Sequence, residues 1–135
     1  MADITTVNPA TGKDIKNYTY MSSDEVNKII DASHKAFSEW RLVSADERAK
    51  VINSIGETLM KYKEELAKLM TEERGKTLEA SLGEVDLCKA ICDFTAGEGI
   101  AALADDERDI EGIKKGLISY NPIGIIYGIQ PWNFP

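Results

Sequence analysis

The sequence predicts an α/β fold, and three observations predict it. Two β-prone stretches at the N-terminus are joined by a turn. A long series of amphipathic helices follows. Near the other end lies Ile123 to Ile129, a near-continuous apolar run of the kind carried by a strand buried on both faces of a parallel sheet. The chain has 135 residues, 43% apolar and 29% charged, which is the composition of a soluble globular domain.

The elements follow in order. Ile4-Thr5-Thr6-Val7 and Ile15 to Tyr20 favour strands. Asn8-Pro9-Ala10-Thr11-Gly12 between them supplies turn chemistry, because Pro fixes φ and Gly accepts positive φ. Ser22 with Glu25 three residues on is a capping box, and it opens a helix. Val26, Ile29, Ile30, Ser33, Ala36, Phe37 and Trp40 recur at intervals of three and four, which lays one apolar stripe along that helix. Ser44 with Glu47 repeats the capping signal. Ile52, Ile55 and Leu59 carry the next stripe, and Tyr62, Leu66, Leu69 and Met70 a third. Gly75 is placed to end that helix. A fourth helix is expected from about Leu78 to about Ala96, with Leu78, Leu82, Val85, Ile91 and Phe94 inward.

Beyond Ala102 the texture changes. Asp105 to Asp109 is polar and reads as a loop or strand edge. Lys115 to Tyr120 alternates as a strand with two different faces does. Pro122 interrupts it before the apolar run, which leads into Gln130-Pro131-Trp132-Asn133-Phe134-Pro135.

Charge and composition exclude several classes. A net charge of −7 argues against a nucleic-acid binder, whose footprint is basic. No apolar run approaches the roughly 18 residues of a membrane helix. Met1-Ala2-Asp3-Ile4 has the character of neither a signal nor a transit peptide, so a cytoplasmic location is expected. Cys88 and Cys92 lie one helical turn apart, a poor geometry for a disulfide. They are expected as small buried apolar side chains. Metal binding would require further ligands, and the sole histidine, His34, is distant and expected on the surface.

Two motifs could carry chemistry. Gly97-Glu98-Gly99-Ile100-Ala101-Ala102 fits the dinucleotide fingerprint in letters only. That fingerprint needs a strand before it and a helix after it, and here a long helix comes first. It is read as a helix end. In the terminal motif, Gln130 and Phe134 each precede proline and are pushed toward extended backbone, while Pro131 and Pro135 fix their own φ. A stiff turn at a strand end is where α/β sheets place ligands. Asn133 would there offer an amide N–H to a developing oxyanion, an interaction typically worth about 2.7–4 kcal/mol in the transition state. The plainer alternative is a proline-punctuated loop in which Asn133 caps its own backbone.

Taken together, the motifs resemble the aldehyde dehydrogenase family along the whole chain. Asn8-Pro9-Ala10-Thr11-Gly12 is similar to its opening turn. Ala36-Phe37, Trp40 and Glu47-Arg48 match its first two helices. Glu73-Arg74-Gly75-Lys76, Glu79-Ala80 and Glu84-Val85 resemble its central block, and Asn121-Pro122-Ile123-Gly124 leading to Pro131-Trp132-Asn133-Phe134-Pro135 is the most specific part. Within the family the pattern is most similar to short bacterial succinate-semialdehyde dehydrogenases.

The resemblance implies the N-terminal part of a longer enzyme that oxidises a small aldehyde, succinate semialdehyde or another short semialdehyde, to its acid with NAD or NADP. On that basis residues 1–135 form a truncated cofactor-binding domain, with 105–121 contributing to homo-oligomerisation and 123–129 the first strand of a Rossmann-like region. It further implies an oxyanion role for Asn133, and a place in the cofactor cleft for Ile129, Gln130, Pro131, Trp132 and Asn133. Cys88 and Cys92 do not match the family's nucleophile. Glu72, Glu73 and Glu84 do not match its general base. The isolated chain is therefore expected to be inactive. The alternative is a non-catalytic oligomerisation or decoy module.

Overall fold

A computed structural model describes residues 3–135. Strands β1 (Asp3–Val7) and β2 (Asp14–Thr19) pair antiparallel, with a bulge between Thr6 and Val7. The side chain of Asn8 builds their turn. Its Oδ1 accepts from the amides of Ala10 at 2.9 Å and Thr11 at 3.1 Å, and Gly12 takes a φ of 67°.

Helix α1 (Ser23–Trp40) starts with the full capping box. Ser22 Oγ accepts from the Glu25 amide, and the Ser22 amide donates to Glu25 Oε2 at 2.8 Å. The Ser22 amide chiefly, and with it the Ser22 hydroxyl, which donates to the same Oε2 at 2.7 Å, holds the Glu25 carboxyl below the usual glutamate range. Helices α2 (Ala45–Lys61) and α3 (Lys63–Arg74) meet at one residue. Tyr62 ends the first and starts the second, at φ −103° and ψ 14°, with no side-chain cap for α3. Gly75 closes α3 in the left-handed region at φ 71°. Helix α4 (Leu78–Ala96) begins at Thr77, whose Oγ1 accepts from the Ala80 amide at 3.2 Å. A single turn, α5 (Glu98–Ala101), follows Gly97 directly. The Gly97 to Ala102 segment thus continues a helix end, as read, rather than opening a phosphate-binding turn. Strands β3 (Asp106–Ile110) and β4 (Ile113–Ile118) form a second antiparallel hairpin, paired only with each other.

The centre of the body lies where α4 packs on α2 and α3. Its buried residues are small: Ala49, Gly56, Ala67 and Ser81, with Val85 and Glu84. A Cβ at Gly56 would sit 3.1 Å from Cys92 Cβ and 2.9 Å from Lys89 Cδ, so the bare backbone is what lets α2 and α4 approach. Polar ties cross the same seams. Lys63 Nζ donates to both oxygens of Asp86 at 2.6 and 2.7 Å, the hydroxyls of Thr71 and Ser81 meet at 3.2 Å, and Lys89 bridges Asp93 at 2.5 Å and Glu57 at 3.4 Å. The Asp93 hydrogen bond, with Glu57 adding to it, keeps the Lys89 ammonium pKa above its ordinary value.

Several expectations change. Val85 is inward, but Leu78, Ile91 and Phe94 are exposed, because α4 turns only one side toward α2 and α3. Cys88 is exposed and Cys92 half-buried; both are free thiols. The stripe on α1 is present, but no residue of that helix is buried. The run from Ile123 to Ile129 forms no strand. Ile123 is 92% exposed and Ile129 83%. A strand requires a neighbour to take its amides and carbonyls, and no described strand pairs with this segment. The total accessible surface is 10948 Å². A compact monomer of 14.9 kDa would expose about 7,000 Å². Much apolar surface on this body is thus uncovered. No helix among the described residues is long and apolar enough to cross a membrane.

Candidate functional site

The Pro122–Pro135 segment crosses the C-terminal half of α1, where Gly124 and Ile125 share a shallow cavity with Ser33, Ala36, Phe37 and Trp40. It then reaches the junction between α3 and α4. Pro135 lines an apolar cavity of about 200 Å³ together with Leu59, Leu66, Leu69, Met70 and Val85. Glu73, Arg74, Glu84 and Cys88 complete its wall. Glu73 Oε1 is buried there with no hydrogen-bond partner among the described residues.

Lys76 joins the two halves of the site. Its ammonium pairs with the Glu84 carboxylate, donates to the backbone carbonyl of Asn133 at 3.2 Å, and lies 4.7 Å from the centre of the Phe134 ring. Sequence reasoning noted Lys76 and Glu84 as parts of a block and missed their role at the motif. Fifty-seven positions separate Lys76 from Asn133, and no local pattern reports so distant a contact.

The opening turn belongs to the same junction. A Cβ at Gly75 would lie 2.9 Å from Pro9 Cγ, so the turn rests directly on the glycine that ends α3.

Of the sequence-predicted site residues, Asn133 is exposed, and its backbone carbonyl rather than its side chain is engaged. No hydrogen bond to its side-chain amide is formed among the described residues, so that amide is available to a ligand. This disfavours the alternative in which Asn133 caps its own backbone. Ile129, Gln130, Pro131 and Trp132 form a continuous exposed run, with Trp132 74% exposed. Among those residues no group of three or more His, Cys, Asp or Glu side chains gathers to hold a metal ion.

The chain is similar to known proteins over nearly its whole length. It is 36% identical over 134 residues to succinate-semialdehyde dehydrogenase [NADP(+)] 1 of Mycobacterium tuberculosis (strain ATCC 25618 / H37Rv), covering 98% of this chain and 29% of that protein. It is 33% identical over 132 residues to succinate-semialdehyde dehydrogenase [NADP(+)] GabD of Escherichia coli (strain K12), covering 98% of this chain and 27% of the relative. This chain thus spans under a third of the length of those relatives. The solved structure of Gox0499, concerned with cofactor and substrate selection, superposes with a TM-score of 0.93 at 27% identity, over 99% of this chain and 29% of that one. The model of the aldehyde dehydrogenase family matches residues 2–135, and the chain belongs to that family.

Proposed function

We propose that this chain supplies the oxyanion-stabilising edge and one wall of the cofactor cleft in an NAD- or NADP-dependent oxidation of a short semialdehyde, such as succinate semialdehyde, to its acid. The carrying observation is the state of Asn133: its backbone is held by Lys76 while its side-chain amide is left exposed and unpaired. When an aldehyde carbonyl is attacked, negative charge grows on its oxygen. A pre-positioned amide N–H stabilises that charge without reorganising. Ile129 to Trp132 would hold one side of the dinucleotide, which when bound accepts the hydride. The names of the relatives above support the substrate class and the use of NADP. We place the protein in the cytoplasm, a reducing compartment with which the exposed free thiol of Cys88 is compatible.

The 135 residues contain no group matched to the family's nucleophile or general base, so by themselves they oxidise no aldehyde. Aldehyde-dependent formation of NADH or NADPH by the pure chain would contradict this. For Asn133 the test is a chimera in which these residues replace the corresponding part of the E. coli relative. Asn133→Ala should lower kcat by about 10²–10³-fold with little change in KM. An unchanged kcat removes Asn133 from the reaction.

We assign homo-oligomerisation to residues 105–121. An isolated two-stranded hairpin is marginal in water, and β3–β4 presents Ile110, Leu117 and Ile118 to solvent. Association there would cover these side chains. Sedimentation of the chain beside its Leu117→Glu variant tests this; equal monomer fractions in both would rule it out.

A further inference from the structure

We propose that Lys76 is a positioning residue, a latch that ties the Pro131–Pro135 turn to the helical body and so sets the direction in which Asn133 presents its amide. The proposal rests on the oxyanion reading of Asn133 and adds the group that aims it.

The geometry has three parts. First, the backbone on either side of Lys76 is set. Gly75 before it is fixed in the left-handed region, and Thr77 after it is fixed as the cap of α4. Second, Glu84 holds the ammonium from behind. The Glu84 side chain is 7% exposed and that of Lys76 22%, so the pair is largely out of water. If Lys76 swung away, a buried carboxylate would be left without its partner, which is strongly unfavourable. Third, the remaining reach of the ammonium goes to the motif. It donates to the Asn133 carbonyl at 3.2 Å and faces the Phe134 ring at 4.7 Å. The two contacts flank one peptide bond, Asn133–Phe134, so they fix its orientation as well as its place. A lysine that served only to neutralise Glu84 would need neither.

Nuclear magnetic resonance on the 135-residue chain reads this directly. Asn-Phe occurs once in the sequence, so carbonyl-13C asparagine with 15N phenylalanine labels this peptide alone. Lys76→Met is expected to move that single cross-peak to the position found in a free peptide of the same residues, with the helical circular dichroism unchanged. Lys76→Arg, which keeps the charge and can donate to the same carbonyl, should move it back toward its original position. A cross-peak that stays in place in folded Lys76→Met overturns the proposal. If Lys76→Met fails to fold, the ε-methylene protons of Lys76 in the unaltered chain carry the test. The Phe134 ring should shift them upfield, and Phe134→Leu should abolish that shift; its absence from the unaltered chain overturns the latch. Asn133→Ala retains the backbone carbonyl, so the Lys76 signature should persist in it. Failure of the latch is thereby separable from failure of the oxyanion reading, which the chimera alone measures.

Discussion

Replacing Gly75 with alanine should cost this chain more than a left-handed glycine ordinarily would. Two contributions add. The first is conformational: an L-residue at φ 71° loses about 1–2 kcal/mol. The second is steric. The new Cβ would stand 2.9 Å from Pro9 Cγ and 3.8 Å from Pro9 Cβ. Ordinary carbon contacts begin near about 3.5 Å, so the ring must retreat by roughly 0.6 Å. That ring sits in a turn pinned by Asn8, and overpacking of this kind costs about 1–3 kcal/mol. The total is about 2–5 kcal/mol. The two parts separate in a double-mutant cycle with Pro9→Ala, which removes Cγ and leaves the distant Cβ. In that background Gly75→Ala should cost only the conformational part. The smaller entropy of the alanine-bearing unfolded chain enters both arms and cancels. Urea unfolding followed by far-ultraviolet circular dichroism measures all four proteins. An equal cost in both backgrounds would refute the close approach of the opening turn to α3.

Further outcomes are expected elsewhere. Because the capping box holds the Glu25 carboxyl low, its contribution to α1 is complete above the ordinary glutamate range and is lost as pH falls through the depressed value; acid titration of helicity should show this loss in the parent chain and not in Glu25→Gln, which has no carboxyl to protonate. Thr77→Ala should destabilise α4 by about 1 kcal/mol, with Thr77→Ser restoring most of it in thermal melts. Gly56→Leu should separate α2 from α4 and cost about 1–3 kcal/mol in denaturant titration, because Cys92 Cβ leaves no room. Ile126→Lys with Tyr127→Lys should reduce light scattering at high protein concentration, since both positions are open to solvent.

What the sequence disclosed was local. The capping box at Ser22, the turn at Asn8 to Gly12 and the stop at Gly75 depend on neighbours within a few residues, and each lies where it was expected. Burial was less legible because it depends on a partner. The stripe on α1 has the right period, yet among the described residues it is covered only in part, at Ser33 and Phe37, and none of it is fully buried. The centre of the helical body was missed for a different reason. Ala49, Gly56, Ala67 and Ser81 carry no hydrophobic signal of their own; they are inside because close helix approach selects small side chains. Ile123 to Ile129 has the composition of a buried strand, but composition supplies no ladder partner. At the site, proline stiffness made Asn133 visible, whereas Lys76 could be connected to it only through the fold.

The joint at Tyr62 has a mechanical consequence. Helix α3 runs 12 residues from that joint to the turn that carries Lys76, a lever arm of about 18 Å. A rotation of about 10° at Tyr62 would displace the far end by about 3 Å, as much as the whole reach of the Lys76 bond to Asn133. A single uncapped residue cannot hold an angle so finely. The brace is α4, which grips the arm near its pivot through Lys63 and Asp86 and near its tip through Thr71 and Ser81. The aim of the terminal turn is thus governed in part along the α3–α4 seam, by side chains that make no hydrogen bond to it among the described residues.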